Sequence, residues 1–190
     1  MQVGRLQTTI EIPEGVSIEL KESTVTVKGP LGKLEKDFAH TKIQIELRED
    51  EVHLSTYFPR KREKALLGTV KAHIQNMIDG TRYGFKYMLK IVFAHFPIRV
   101  NPELNKNRIK IENLYGGRKP RYAKVLPGVK VEVLDEDVVV TGMDREAVGQ
   151  TSANIQELTR LHGKRRKSPK TFMDGIFLYH KEFENTPSSS

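Results

Sequence analysis

The sequence predicts an α+β protein made by tandem duplication, in which a small antiparallel β-sheet packs against one α-helix in each copy. Residues 94–117 align with residues 10–33 at an offset of 84, and residues 149–156 align with residues 68–75 at an offset of 81. Apolar residues alternate with polar ones in the first pair of segments, as in half-buried strands. Two copies of about 80 residues indicate a duplicated domain, because a solenoid uses more and shorter units. We place the domains at 1–80 and 81–190, the second with a basic C-terminal extension.

The first copy reads as short strands followed by a helix. Period-2 alternation of apolar residues predicts consecutive antiparallel pairs, with a turn at 29–32. Apolar residues at helical spacing predict a helix over 60–79, with Gly80 as its C-terminal cap. Small residues on one ridge of this helix, and their equivalents in the second copy, predict that each helix lies close to its sheet. These residues are Gly68, Ala72, Gly149 and Ala153.

The second copy opens with a long strand near 81–96, in which aromatic residues alternate with lysines. This stripe is typical either of an RNA stacking platform or of a buried core face, and the usual burial of aromatic residues favours the core. Strands follow near 98–104, 107–113, 129–134 and 137–141, with a turn at 115–117. A helix is predicted over 145–161 with Asp144 as its N-cap. Asp174 and Gly175 indicate a turn before a final strand.

Composition and charge limit the function. No run of about 18 apolar residues suggests a membrane span, and cysteine is absent, so that no disulfide framework or thiolate site is expected. The net charge is +8, of which residues 1–84 carry +1 and residues 85–190 carry +7. A basic excess on one of two similar domains favours a polyanionic partner for that domain, and nucleic acid is the leading candidate.

Lysine and arginine residues in three groups are the candidate RNA contacts, because both side chains neutralise phosphates and release counterions. For the cations of 164–170 and of 118–124, and in particular for those of 118–124, a solvated charged surface is the alternative interpretation. The cations of 60–64 are interrupted by Glu63, and we interpret them as helix surface. The three groups are Lys164, Arg165, Arg166, Lys167 and Lys170 in a loop with Gly and Pro; Arg118, Lys119, Arg121 and Lys124 after a turn; and Lys86 and Lys90 on one face of a strand.

No pattern in the chain favours an enzyme. Residues 29–33 are too short for a phosphate-binding loop, and Leu34 stands where Ser or Thr would bind magnesium. The six histidines show no ligand spacing on one helix face, so no metal site is predicted. Carboxylates are scattered, and no serine has an evident base. We expect no cofactor and no small-molecule substrate.

Several stretches resemble the family of large-subunit ribosomal protein L six in its archaeal and eukaryotic form, which is called L nine in eukaryotes. They include IEIPEGV (10–16), TVTVKGPLG (24–32), HIQNMIDG (73–80), YMLKIVFAHFP (87–97), IENLYGG (111–117), VTGMDREAVGQTSANI (140–155) and FMDGIF (172–177). The sixth stretch, and FPRK at 58–61, are closer to the archaeal branch. The turn at 113–117 reads NLYGG where the family usually has N-F-L-G-E.

This resemblance implies a cytoplasmic protein of the ribosome that binds large-subunit ribosomal RNA. It implies a position near the factor-binding side of the subunit, reached mainly by the second domain, with neighbouring large-subunit ribosomal proteins as further partners and no membrane. The alternative function is a free-standing protein-interaction module whose basic loop is incidental.

Overall fold

The structure is a computed structural model that describes residues 4–48, 50–94, 96–160 and 173–185. The chain divides into two compact units, Met1–Gly84 and Phe85–Ser190. Our expected boundary after residue 80 lies inside a helix that continues to Tyr83. Gly80 is therefore a buried position in the helix and not the predicted cap. Gly84 ends the helix with a φ of 69°, and its N–H donates to the carbonyl oxygen of Gly80 at 3.1 Å.

The first unit contains two three-stranded antiparallel sheets and one helix. Strand β1 pairs with β6, so that the first strand of the unit joins the last, and the alternation of apolar residues alone does not predict this partner. The sheets have the orders β1-β6-β5 and β2-β3-β4. The elements are β1 (Arg5–Glu11), β2 (Ser17–Lys21), β3 (Thr24–Gly29), β4 (Gly32–Asp37), β5 (Gln44–Arg48), β6 (Glu51–Tyr57) and α1 (Lys61–Tyr83).

The second unit repeats this arrangement. Its strands have the orders β10-β9-β8 and β11-β12-β7-β13, in which β7, β12 and β11 correspond to β1, β6 and β5. The duplication and the α+β class are thereby confirmed, and β13 is an added strand at the edge of β7. The elements are β7 (Phe85–Val92), β8 (Arg99–Glu103), β9 (Arg108–Glu112), β10 (Arg121–Lys124), β11 (Val129–Leu134), β12 (Asp137–Gly142), α2 (Arg145–Thr159) and β13 (Gly175–Phe183).

Each unit has its own apolar core between its helix and its strands. In the first, Val70 and Ile74 of α1 belong to a buried cluster with Val25, Val27 and Leu54. In the second, the cluster includes the inward residues of β7, and this confirms the core interpretation of the aromatic stripe. Burying one such side chain stabilises a fold by about 1.5–3 kcal/mol. These inward residues of β7 are Phe85, Tyr87, Leu89 and Ile91.

The predicted close contact through small helix residues is wrong. A β-carbon on Gly68 would have no atom of the described residues within 4 Å, apart from its own helix backbone and chain neighbours, and Ala72 and Ala153 are exposed. On Gly149 it would lie 3.8 Å from the Tyr87 ring, an ordinary van der Waals distance. In α1 the ridge of Gly68 and Ala72 faces away from the core, because a different, apolar face of the helix packs against the sheet. In α2, Gly149 lies at the margin of the contact with the core and Ala153 faces solvent.

The close helix–sheet approach occurs at Gly29 instead. A β-carbon there would lie 2.8 Å from the carbonyl oxygen of Thr81, near the end of α1. The adjacent Leu31 N–H donates to the same oxygen at 3.0 Å. Gly29 and Gly32 pair at the predicted hairpin turn between β3 and β4. This turn is therefore hydrogen-bonded to the last part of α1.

Candidate nucleic-acid interface

The turn at 113–117 in the second unit is anchored by a buried leucine and a tyrosine. Leu114 lies in the core, while Asn113, Tyr115 and Gly116 have left-handed backbone angles. The hydroxyl of Tyr115 lies 2.5 Å from the carbonyl oxygen of Thr159 and 3.2 Å from that of Asp174. Thr159 ends α2 and Asp174 precedes β13, so that one side chain contacts both ends of the segment that joins them.

Both ends of this joining segment are buried and hydrogen-bonded. Thr159 is 2% exposed, and its hydroxyl accepts from the N–H of Ile176 at 3.1 Å and donates to Gln156 at 2.8 Å. Asp174 is 4% exposed, and its carboxylate accepts from the N–H of Ala94 at 2.5 Å. Since buried backbone groups require partners, Tyr115 supplies a donor to the carbonyl oxygen of Thr159, which is one of the last carbonyls of α2.

Arg121, one of the predicted RNA contacts, is committed to the fold. Its guanidinium donates to the carbonyl oxygen of Leu158 at 2.8 Å and is half-buried in β10. A cation at the C-terminal end of a helix also complements the helix dipole. Arg121 therefore stabilises the end of α2, and the structure assigns it a positioning role that its sequence context did not suggest.

Three other candidates near this turn face solvent. Arg118, Lys119 and Lys124 are exposed. Within the described part of the chain, none of the three has an ion pair. Arg118 and Lys119 follow Tyr115 in the chain by three and four residues. Their charges are available to an anionic partner.

Lys86 and Lys90 are on the outward face of β7, and both have carboxylate partners. Lys86 Nζ lies 2.8 Å from Glu182 Oε1, and the ammonium lowers the pKa of that carboxyl. Lys90 Nζ lies 3.3 Å from Glu136 and 3.5 Å from Asp137. The hydrogen bond with Glu136 is the main cause that raises the pKa of Lys90. These pairs reduce the charge that either lysine offers to a phosphate.

Five further candidates lie outside the described residues, namely Lys164, Arg165, Arg166, Lys167 and Lys170. The structure describes the residues that flank them, up to Arg160 and from Met173. Among the described residues, no group of three His, Cys, Asp or Glu side chains is arranged for a metal ion. No described helix has the length and apolarity to cross a membrane.

One exposed surface of the first unit is not predicted from the sequence. Tyr57 and Phe58 are exposed immediately before α1, beside the cations of 60–64 that we had interpreted as helix surface. The signal was present in the chain as two adjacent aromatic residues followed by Pro59 and a basic run. The structure shows both aromatic residues exposed.

The fold and these surfaces define a duplicated α+β protein with exposed cations that its own carboxylates do not neutralise. The family model described as Ribosomal protein L6 matches residues 12–84. The large ribosomal subunit protein uL6 of Methanobrevibacter smithii is 46% identical over 177 residues, which cover 93% of this chain and 97% of the relative. That of Ignicoccus hospitalis is 46% identical over 178 residues, covering 91% and 93%. That of Aeropyrum pernix is 42% identical over 174 residues, covering 91% and 93%.

The chain therefore belongs to the uL6 family of large ribosomal subunit proteins, and its similarity to these relatives supports the archaeal branch. This confirms the resemblance found in the sequence. The family match extends over both units, because each of these relatives aligns with more than nine-tenths of the chain.

Proposed function

We propose that this protein is a structural constituent of the large ribosomal subunit in the cytoplasm, and that it binds large-subunit ribosomal RNA mainly through its second unit. It acts near the factor-binding side of the subunit, among neighbouring ribosomal proteins, and it catalyses no reaction. Family membership supports the ribosomal role. The net charge of +7 on residues 85–190, against +1 on residues 1–84, supports the second unit as the main contact.

The observation that carries the choice of surface is the pair of hydrogen bonds made by Tyr115. They join the turn that precedes Arg118 and Lys119 to both ends of the segment that carries the five basic residues of 164–170. Seven cations thus belong to two short stretches of chain that start from one place in the fold. Such a concentration matches the phosphate backbone of RNA, whose neutralisation releases counterions.

Contacts made by this surface would position the protein on its RNA more than they would recognise the base sequence of that RNA. Lysine and arginine contacts to phosphate orient a protein on its nucleic acid, and they carry no base information directly. RNA helices are recognised largely by their shape, through phosphates and 2′-hydroxyl groups of the wide minor groove. We therefore expect the second unit to recognise a folded RNA element by shape.

Co-sedimentation with archaeal large ribosomal subunits tests the proposed function. The full chain is mixed with subunits that lack it and is centrifuged through a cushion at low and at high salt. A constituent of the subunit stays in the pellet at high salt. If the chain washes off at high salt as completely as an unrelated basic protein of the same net charge, the free-standing interaction module is favoured instead.

A further inference from the structure

The start of α1 in the first unit carries an exposed patch of aromatic and cationic residues, which we call the helix-start patch. Phe58 is 73% exposed, the highest value among the exposed large apolar side chains of the described residues, and the adjacent Tyr57 is 52% exposed. Aromatic surface left in water is a cost that a partner can remove, and two adjacent rings form a platform for stacking. The patch consists of Arg5, Tyr57, Phe58, Arg60, Lys61, Arg62 and Lys64.

The cations of the patch are not neutralised by the unit itself. Residues 57–72 carry five lysines and arginines and one carboxylate, a local net charge of +4 in a unit whose total is +1. The carboxylate is that of Glu63, and it accepts from the backbone N–H of Arg60 at 3.0 Å. No described carboxylate forms an ion pair with Lys61, Arg62 or Lys64.

Helix stability does not account for this concentration of cations. Positive side chains in the first turn of a helix oppose the helix dipole, which favours carboxylates there. Only Glu63 is acidic in the first turn of α1. Repulsion among neighbouring cations adds to the cost, because residues three and four apart on a helix face one another. A polyanionic partner would turn this cost into attraction.

The patch is continuous across β1 and α1. The Arg5 guanidinium lies 5.4 Å from the centroid of the Tyr57 ring, in the cation–π range. Lys71 Nζ donates to the hydroxyl of Thr8 at 3.3 Å, so that α1 runs beside β1. Lys64 precedes Lys71 by about 10 Å of helix, and Arg5 precedes Thr8 by about 10 Å of strand. Because Tyr57 at the end of β6 pairs with Arg5, and α1 begins at Lys61, the start of α1 lies near the Arg5 end of β1.

We propose that the helix-start patch is a second RNA contact, in which unstacked bases lie on Phe58 and Tyr57 while Lys61, Arg62 and Lys64 bind the flanking phosphates. Base stacking on aromatic rings beside a cationic track is the usual means of holding single-stranded RNA. The local net charge of +4 favours a polyanionic partner over a protein, because the centres of protein interfaces are depleted in charged residues. The choice of ribosomal RNA as the ligand rests on the proposed function.

Filter binding of the full chain to a transcript of archaeal large-subunit ribosomal RNA tests this contact. Phe58→Ala should weaken binding about 5- to 150-fold, the range for loss of one stacked base. The slope of log affinity against log salt should not change, because no charge is removed. The double variant Lys61→Ala with Lys64→Ala should lower that slope by about 1.5, since each phosphate contact contributes about 0.7–0.9.

The matched control replaces Lys21 and Lys42, which are exposed lysines of the same unit outside the patch, with Ala. It removes the same charge and should leave both the affinity and the slope near those of the parent chain. Thermal unfolding of every variant checks the fold, and exposed positions should leave the midpoint unchanged.

The outcomes separate the two proposals. If the parent chain binds the RNA but the patch variants behave like the control, the helix-start patch is not an RNA contact. If the patch variants bind RNA normally and instead lose co-sedimentation with the subunit, the patch contacts a protein and the RNA contact is overturned. Failure of the parent chain itself to bind the RNA would count against the proposed function, and the patch proposal would fall with it.

Discussion

The hydroxyl of Tyr115 donates to the carbonyl oxygen of Thr159 across 44 positions of sequence, at 2.5 Å. The same oxygen of the tyrosine lies 3.2 Å from the carbonyl oxygen of Asp174. The end of α2, the start of β13 and the turn after β9 are thus held at one point. The turn that precedes Arg118 and Lys119, and both ends of the segment that carries residues 164–170, are therefore hydrogen-bonded through one side chain.

Tyr115→Phe should lower the free energy of unfolding by about 1–2 kcal/mol, because a hydroxyl donor to buried carbonyl oxygens is lost while the ring is kept. Urea unfolding of the full chain measures this. Tyr179→Phe is the matched control, since Tyr179 is 54% exposed and, among the described residues, its hydroxyl has only a 3.7 Å contact to the sulfur of Met88. Equal stability of the two variants would show that the Tyr115 hydroxyl contributes nothing.

The same hydroxyl predicts a dependence of stability on alkaline pH. Burial raises the pKa of Tyr115, Arg121 opposes this rise and Asp174 adds to it. A raised pKa in the folded state means that folding favours the protonated phenol. The contribution is complete below about pH 10, the ordinary tyrosine value, and is lost as pH rises through the folded pKa.

The difference in unfolding free energy between the parent chain and Tyr115→Phe should therefore shrink above about pH 10. Urea unfolding at a series of pH values from neutrality upward measures this difference. A difference that grows with pH would mean that the folded state prefers the phenolate, contrary to the burial that we describe.

Much of the fold could be predicted from the sequence because the duplication repeats its own signals. The alternation in 10–20 and the helical spacing in 60–79 recur in the second copy, so that each element is supported twice. Partner choice could not be predicted, because the pairing of β1 with β6 depends on contacts between residues about 50 positions apart. The short strand β10 was also missed, since its four residues carry too little pattern.

The predicted close contact of Gly68 with the sheet is wrong for a physical reason, and that reason yields a new prediction for Gly29. Spacing places Gly68 on a helical ridge but does not say which ridge faces the sheet. Gly29 occupies the tight position, because a β-carbon there would lie 2.8 Å from atoms of Thr81. Gly29→Ala should therefore destabilise the chain by about 1–3 kcal/mol, the usual cost of overpacking.

Gly68→Ala should do the opposite. The position is exposed in the interior of α1 and open space surrounds the added methyl group. Alanine has the better helix propensity, so the variant should gain about 0.5–1 kcal/mol. Urea unfolding of the two variants side by side checks both signs. Loss of stability in Gly68→Ala would restore the close contact that the sequence suggested.

The sequence predicts which types of residue would contact RNA, but it does not show which of them already have partners within the fold. Net charge distinguished the second unit, but ion pairing separates Lys86 and Lys90 from Arg118 and Lys119, and the residues of β13 and β12 that pair with the first two are remote in sequence. Arg121 looked equivalent to Lys119 until the structure showed its bond to Leu158. Such distinctions depend on tertiary neighbours, which charge patterning does not contain.

Replacing Lys164, Arg165, Arg166 and Lys167 together with Ala should lower the salt dependence of RNA binding. Each lost phosphate contact removes about 0.7–0.9 from the slope of log affinity against log salt, so that four contacts remove about three. The loss should be similar on different RNA sequences, because phosphate contacts are not base-specific. Filter-binding titrations over a range of salt measure the slope.

The charge-matched control for this variant lies in the first unit. It replaces four lysines that lie outside the helix-start patch, and it should leave the slope unchanged. A slope that is the same in both variants and in the parent chain would support the interpretation of 164–170 as a solvated charged loop. The four control residues are Lys21, Lys28, Lys33 and Lys42.

Separate expression of residues 1–84 and 85–190 tests how the units divide the RNA contact. Each unit has its own buried core, so each is expected to fold alone. The second should retain most of the affinity of the full chain, because it carries +7 of the net charge of +8. The first should bind weakly, and Phe58→Ala should weaken it further if its helix-start patch contributes. Titrations at one salt concentration compare them directly, since affinities for nucleic acid have meaning only at a stated salt. Equal affinity of the two units would mean that net charge does not determine which half of the chain binds the RNA.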